Sequence, residues 1–321
     1  MFKPAVIFIT ALLPLVSVAQ DVASSAEQRE PEVTLEPHLH TDGDRIFWAK
    51  PGLEPLFFPP GSRTAEQEPG FGDLILEDLE GQLPGYRHHE LRANYARLIS
   101  EIRAGNPVCG ILHRTPRREG FIAFSNTLAF PPSYKLYVKA GNRQVFENIA
   151  GWEEGAVAFA DVLQSKRGLR MAHTASHSYG KALDEVLARY HSHLDLVRGY
   201  AGQKSLVKML LAGRVDVIIE FPWVVNHHLE SLGISSDELH SMTLTEAPAY
   251  EPAYIGCPKN DWGLHLIDHL NQIEPPLHER MKNYIEIWLK PDEVEDYRAA
   301  FEAYFGATPT DPTPAEESVP E

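Results

Sequence analysis

The amino-acid sequence predicts an α/β protein with two lobes, each a mostly parallel sheet flanked by helices, that face each other across a ligand cleft. Short apolar runs alternate with segments of helical periodicity, which is typical of βα units. A helix, a glycine and an apolar strand follow one another twice, at residues 98–112 and 207–219. Because ligand pockets favour domain interfaces, two such half-units indicate a cleft between lobes.

The elements of the first half follow from local patterns. Apolar runs flanked by Gly, Pro or polar residues predict strands, and apolar positions three or four residues apart predict helices. In chain order, we expect a strand at 46–49, helices at 73–83 and 95–104, and strands at 108–112 and 134–139. Pro84 stops the first helix, and Gly105 lies just past the second, as a C-terminal glycine commonly does.

The second half continues the alternation of helices and strands. In chain order, we expect a helix at 157–164, a strand at 169–173, helices at 178–190 and 204–211, a strand at 215–219, a strand at 253–257, and helices at 263–273 and 279–289. Gly213 follows the helix at 204–211 in the same way as Gly105 follows its own helix. The span between residues 220 and 253 is rich in turn residues, and no element is expected there.

The two ends of the chain are expected to lie outside the fold. Residues 1–19 have the pattern of an export signal: Lys3 near the start, an apolar run, and a small-residue cleavage site before Gln20. Residues 20–44 and 307–321 are rich in Pro, Glu, Ser and Thr and poor in large apolar residues. We therefore expect a flexible acidic linker and a disordered acidic tail.

Charge and hydropathy limit the partners of the chain. The formal net charge is −16, much of it in the linker and the tail, so a nucleic-acid partner is not expected. No apolar run of ~18 residues follows the signal, so we expect no membrane-spanning helix. These observations predict a periplasmic protein, soluble after cleavage and monomeric.

The segment from residue 105 to residue 125 contains the most informative pattern. A buried strand is followed by Thr115, Pro116, Arg117 and Arg118, which we expect in an exposed loop at the end of that strand. Ligands of open α/β sheets lie at this end, and a guanidinium beside a hydroxyl can bind one anionic group. An ordinary solvated basic turn is the alternative.

The same segment resembles a known family. Along the chain, a predicted helix, a glycine and a strand are followed by Thr115, Arg118, Phe124 and Ser125, and then by a crossover strand. It resembles the periplasmic solute-binding proteins of the family 3 type, which bind polar amino acids and have the type II periplasmic-binding-protein fold. The chain is also similar to an uncharacterised exported branch of that superfamily. The shared features are Trp48, the LPGY of residues 83–86, Cys109, the SYG of residues 178–180, and Cys257 with Lys259.

The resemblance extends over about residues 45–305 and implies a bilobal protein that closes on a small solute. It places residues 45–138 and 250–306 in a discontinuous first lobe and residues 139–249 in the second. It implies capture of an anionic or zwitterionic, amino-acid-like solute, for an inner-membrane transporter or a sensor. The alternatives are an enzyme of the same fold, acting as a lyase or hydrolase on a small carboxylate, and a sensor or interaction protein without transport.

The resemblance also assigns roles to the first-lobe residues. Arg118 would bind a ligand carboxylate in a bidentate pair, with Thr115 and His113 adding hydrogen bonds. Tyr95 lies near the position of an aromatic wall. For Arg118, a surface position or a salt bridge with Glu119 is the plainer alternative.

Three residues of the second lobe are assigned in the same way. Ser178 and Tyr179, at the start of a helix, would help to hold the same anion, because free backbone N–H groups point outward there. Glu220 stands where amino-acid binders have an acidic partner for the ligand's amino group. Their plainer alternatives are an ordinary helix start and a cap on the next turn.

The remaining chemistry-bearing residues give weaker signals. Cys109 and Cys257 are the only cysteines, and an oxidising compartment favours a disulfide between them over two separate thiols. The 15 histidines invite a metal hypothesis through four close pairs: His38 and His40, His88 and His89, His191 and His193, and His227 and His228. No matching cysteine or carboxylate frame accompanies these pairs, so we expect neither a metal site nor a cofactor. The motifs of serine hydrolases, zinc proteases and phosphate-binding loops are absent from the sequence, which favours a binding protein over an enzyme.

Overall fold

The computed structural model describes residues 43–59, 69–149, 152, 155–166, 168–173, 177–198 and 203–306. The predicted signal and acidic tail, and the linker up to residue 42, lie outside the described residues. The last two linker positions belong to the fold: Asp44 forms an ion pair of 2.7 Å with Arg87, and the carbonyl of Gly43 accepts a hydrogen bond from the Trp262 indole. The linker prediction therefore extends two residues too far.

Five strands form the first sheet, in the order β2-β1-β3-β11-β4. The bounds are β1 Arg45–Lys50, β2 Arg87–Arg92, β3 Val108–Leu112, β4 Ile122–Phe124 and β11 Tyr254–Pro258. All residues of β3 and β11 are buried, as expected for central apolar strands, whereas β2 at the edge is mostly exposed. Strand β11 of this sheet follows all strands of the second sheet in sequence, so the first lobe is discontinuous in sequence.

Six strands form the second sheet, in the order β6-β10-β5-β9-β7-β8. The bounds are β5 Lys135–Lys139, β6 Ala156–Val157, β7 Leu169–His173, β8 Leu194–Arg198, β9 Val217–Glu220 and β10 Leu239–Leu244. Because β5 pairs with β10 and β9, its residues belong to the second sheet. The predicted lobe boundary at residue 138 falls inside this strand.

The two-lobed α/β class is confirmed, with both sheets mixed. The strands that carry the chain between the sheets run against their neighbours: β11 is antiparallel to β3 and β4, and β5 is antiparallel to β9 and β10. The βα units at β1, β2 and β3 and at β7, β8 and β9 remain parallel. A single sequence shows the βα units but not the direction of a crossover strand.

Eleven helices are present among the described residues. Their bounds are α1 Phe71–Gln82, α2 Tyr95–Arg103, α3 Pro116–Glu119, α4 Arg143–Glu147, α5 Phe159–Ser165, α6 Lys181–Arg189, α7 Gln203–Leu211, α8 Pro222–Ser231, α9 Asp261–Asn271, α10 Leu277–Glu286 and α11 Pro291–Gly306. Helix α6 begins at Lys181 rather than at Ser178 as predicted, because Gly180 before it has a φ of 89° that no helix accommodates. The span after Glu220, expected to be turns, contains α8 and β10.

Two antiparallel segments connect the lobes. The chain leaves the first sheet after β4 and returns before β11, and the two crossings pair through bridges between Ala129 and Ala253 and between Pro132 and Tyr250. The amide of Glu251 also donates to the carbonyl of Pro131 over 2.9 Å. We call residues 125–134 and 249–254 the hinge.

No helix among the residues described here is long and apolar enough to cross a bilayer.

Candidate functional site

Two adjoining spaces lie between the lobes, and the inner one is lined in part by residues of the hinge. The inner one is a cavity of about 50 Å³ with mainly apolar and aromatic walls, among them Leu53, Leu56, Phe71, Tyr134, Phe221 and Trp223. The outer one is a groove of about 650 Å³ between α2, the α3 region and α6. Arg118, His177 and Ser178 line both spaces, so they mark the point where cavity and groove meet.

Arg118 lies on the short helix α3 that follows β3 and is only 9 % exposed. Its Nη1 donates to the carbonyl of His113 over 2.9 Å, and burial lowers its pKa. Among the described residues, Arg118 forms no ion pair with a carboxylate; Glu119, the suggested partner, pairs instead with Arg114 at 2.6 Å. Within the predicted exposed loop, Thr115 and Arg118 are buried, whereas Pro116 and Arg117 are exposed.

Thr115 and His113 lie on the same first-lobe loop but line different spaces. Thr115, also 9 % exposed, lines the groove, and its carbonyl accepts from the amides of Arg118 and Glu119, which begins α3. His113 lines the cavity and contacts the hydroxyl of Tyr134 through Nε2 at 3.3 Å. The sequence thus identified two residues that the fold brings beside Arg118.

A neutral aromatic network forms one wall of the cavity. The hydroxyl of Tyr134 contacts His177 Nε2 at 2.9 Å, and its ring stacks on Phe221 at 3.8 Å between centroids. Burial lowers the pKa of His113 to about 4 and that of His177 to about 3, so neither imidazole is charged at neutral pH. Tyr95, the predicted aromatic wall, lines the cavity edge-on to His177.

The predicted anion-holding residues of the second lobe already have an anionic partner. The carboxylate of Asp184, in the first turn of α6, accepts from the Ser178 hydroxyl at 2.6 Å and from the Tyr179 amide at 2.9 Å. Ser178 faces the cavity and the groove, whereas Tyr179 is buried but lines neither. An external anion would compete here with Asp184.

Glu220 ends β9 and is 2 % exposed. Its Oε1 accepts the amide of Phe221 at 3.0 Å, and it forms no ion pair within the described part of the chain. Burial raises the pKa of this carboxyl to about 8. The next residue, Phe221, lines the cavity, whereas Glu220 does not.

Some residues of the site were not identified from sequence. Phe221 and Trp223 follow β9 directly, and their position at a strand end next to Glu220 is a signal that could have pointed to them. His177 precedes the SYG segment. Glu251 on the hinge lies 3.7 Å from His113 Nδ1, and burial raises its pKa to about 7; only the hinge pairing brings it here.

The disulfide between Cys109 and Cys257 is present, with its Cα atoms 4.5 Å apart. The two cysteines stand opposite each other on β3 and β11 of the first sheet, next to the pair Gly110 and Gly256. Both are fully buried. The bond therefore lies inside the first lobe, on β3, the strand that precedes Arg118 in sequence.

No protein-family model and no curated protein matches this chain. Several solved structures do match it. A putative L-cystine ABC transporter protein from Listeria monocytogenes is 16% identical, with 78% of this chain and 97% of that one covered at a TM-score of 0.57. The periplasmic VFT2 domain of BvgS from Bordetella pertussis is 17% identical (77% and 94% covered, TM-score 0.51).

A third structure, the ancestral amino acid-binding protein AncCDT-1, described as a precursor of cyclohexadienyl dehydratase, is 13% identical (80% and 95% covered, TM-score 0.51). At these identities the likeness establishes the fold. The order of strands in the two sheets and the paired crossings between them agree with it. The chain therefore has the two-lobed fold of the type II periplasmic-binding proteins.

Proposed function

We propose that this protein is a periplasmic solute-binding protein that closes its lobes on a small anionic or zwitterionic, amino-acid-like solute. Arg118 binds the carboxylate of the solute in a bidentate pair. Thr115, His113 and Ser178 add hydrogen bonds, and Tyr95 forms an aromatic wall. The solute is then passed to an inner-membrane transporter or reported to a sensor.

The buried guanidinium of Arg118 is the observation that carries this proposal. A buried charge without an ionic partner is costly, and the cost is offset when an anion with matching geometry arrives. Arg118 is 9 % exposed, has a carbonyl as its hydrogen-bond acceptor, and stands where the cavity meets the groove. A carboxylate can therefore enter from the groove and reach the guanidinium.

The walls of the cavity support an apolar body for the solute. Beyond Arg118, the cavity is bounded by aliphatic and aromatic side chains such as Leu56, Phe71 and Trp223. The inner cavity must widen to admit such a group, and the hinge provides that movement. A carboxylate with an aliphatic or aromatic group is the solute class that these surfaces favour.

Glu220 is the proposed partner for an amino group on the solute. Its carboxyl is buried and has no cationic partner among the described residues, and the next residue, Phe221, lines the cavity. Pairs of compounds that differ only in the α-amino group, an amino acid and the corresponding carboxylic acid, therefore test this role. Equal affinity within each pair excludes Glu220 from recognition and makes the solute anionic rather than zwitterionic.

The experiment begins with a thermal-shift screen of amino acids, small peptides, organic acids and cell-wall fragments, because a ligand of the native state raises Tm. Calorimetry on the best compound then compares the wild type with Arg118→Ala. We expect affinity to fall at least ~30-fold, since truncating one partner of a buried charge pair costs about 2–5 kcal/mol. Arg114→Ala, which removes an arginine paired with Glu119 outside both spaces, is the matched control.

Wild-type affinity in Arg118→Ala would overturn the proposal, and so would an equal loss in both variants. The same samples test the enzyme alternative when the solute is recovered after incubation. A changed solute indicates catalysis, whereas an unchanged one indicates binding. An absent thermal shift across all classes favours an interaction role.

A further inference from the structure

We propose a transition-metal site of the zinc type at the boundary between the lobes, formed by Glu54, His227 and His228. Glu54 lies in the loop after β1 in the first lobe, and the two histidines lie on α8 in the second. A metal site was not expected from the sequence, because no cysteine or carboxylate with the spacing of a metal site accompanies the histidine pair. The fold supplies that carboxylate from 173 residues away.

The spacing of the three side chains fits one ion. Glu54 Oε2 lies 3.4 Å from His227 Nε2 and 3.9 Å from His228 Nδ1, and the ligand atoms of all three lie within 4.8 Å of one another. Metal–ligand bonds of about 2.0–2.2 Å in tetrahedral geometry separate ligand atoms by roughly 3.3–3.6 Å. Small rotations of the side chains bring these atoms to that separation.

His228 provides an independent observation. The residue is 2 % exposed, yet neither ring nitrogen has a hydrogen-bond partner in the part of the chain that the structure describes. Buried polar groups almost always have partners, and an unsatisfied one costs about 1–3 kcal/mol. A metal ion bound at Nδ1 would satisfy the nitrogen that faces Glu54.

The surroundings hold the first histidine in place. Phe58 packs edge-on against the His227 ring at 5.4 Å between centroids, and Trp288 does so at 5.8 Å. The donor set of two imidazoles and one carboxylate is one that zinc uses with a water in the fourth position. Calcium and magnesium prefer sets made of oxygen atoms alone, so this set favours a borderline metal.

The position of the site gives it a mechanical consequence. Leu53 and Leu56, on either side of Glu54, line the cavity, and so does Trp223 near the start of α8. An ion shared by this loop and α8 ties together two opposite walls of the cleft. Zinc therefore favours the closed arrangement of the lobes, whatever solute the cleft takes.

Calorimetry with Zn²⁺ on the full chain, freed of metal by a chelator and without solute, tests the site. We expect one ion per chain to bind here, and affinity to fall at least ~10–100-fold in Glu54→Gln and in His228→Asn, since even outer-shell changes cost that much. His240→Asn is the matched control, because His240 Nε2 also lacks a hydrogen-bond partner among the residues described but is not part of the cluster. The Tm without metal shows that each variant is folded.

Cobalt gives a second readout, since four-coordinate Co²⁺ absorbs visible light far more strongly than six-coordinate Co²⁺. Strong absorption that is lost in Glu54→Gln supports the site. Zinc affinity equal to wild type in both Glu54→Gln and His228→Asn would overturn it, because binding would then come from histidines elsewhere in the chain. The measurement needs no solute, so its failure leaves the proposed function of Arg118 untouched, and the reverse holds as well.

Discussion

Replacing Glu220 by Gln is expected to stabilise the protein, increasingly so as the pH rises. The carboxyl is buried at the end of β9, and its Oε1 accepts only the Phe221 amide among the hydrogen bonds of the described residues. Gln keeps the size of the side chain and an oxygen for that amide. What it removes is a group that must be neutral in the fold but ionises readily in the unfolded chain.

The magnitude follows from the two pKa values of Glu220. Its pKa is about 8 in the folded protein against 4.5 in the unfolded reference. Between these values the folded state binds more protons than the unfolded state, so the free energy of unfolding falls as the pH rises. The resulting cost of Glu220 is about 1 kcal/mol at pH 5, about 3 kcal/mol at pH 7 and about 5 kcal/mol at pH 9.

Other groups titrate in the same range, so the comparison must be a difference between variants. Burial lowers the folded pKa of His113 and of His177, and those terms reduce stability as the pH falls below about 6.5. They are common to wild type and Glu220→Gln and cancel in the difference. The difference in unfolding free energy therefore isolates Glu220.

Urea unfolding of both proteins at pH 5, 7 and 9 measures this difference directly. Glu230→Gln, on the exposed side of α8, is the matched control and should change stability by less than about 0.5 kcal/mol at each pH. A Glu220→Gln difference that is flat between pH 5 and pH 9 refutes the reasoning. It would mean that the carboxyl is ionised in the fold and has a partner there.

Two further changes have defined expectations. Removing the disulfide by Cys109→Ala with Cys257→Ala should lower the unfolding free energy, measured in urea, by up to about 5 kcal/mol, because the bond closes a loop with a separation of 148 residues. Reductant should have no further effect on the double variant. A loss below about 1 kcal/mol would contradict the view that the disulfide stabilises by restricting the unfolded chain. Gly180→Ala should cost roughly 1–3 kcal/mol, because φ is +89° and the new Cβ would lie 3.0 Å from Glu251. The matched control is Gly213→Ala, which should lower the unfolding free energy by about 1 kcal/mol, because Gly213 has a φ of +68° and no atom near the new Cβ. An equal loss in the two variants would show that the contact with Glu251 does not contribute.

Local patterns predicted the parts of the fold that are local in origin. Strand β3, helix α2 and the loop with Arg118 were located from residues that lie next to one another in sequence. Helix α8 was not predicted because Trp223, Val224 and Val225 follow one another directly, so the apolar positions do not show the helical period. Strand β10 alternates between exposed and buried side chains only over residues 241–244, so its strand pattern is short in the sequence.

The site depends more heavily on distant pairings. Arg118 was expected in an exposed loop because nothing nearby in sequence shows that its side chain is buried where the cavity meets the groove. Asp184 was not expected to take the hydroxyl of Ser178, since that depends on where α6 begins. Glu251 reaches the cleft only through the pairing of the two hinge segments. Each is a consequence of tertiary structure rather than of local propensity.

The position of the disulfide has a topological consequence. Cys109 precedes the second sheet in sequence and Cys257 follows it, so all six strands of that sheet lie inside one covalent ring closed at β3 and β11. A protease that cuts once anywhere between residues 109 and 257 therefore opens the ring without dividing the molecule. The two fragments separate only after reduction. A protein built in this way keeps its two lobes joined after a single cut.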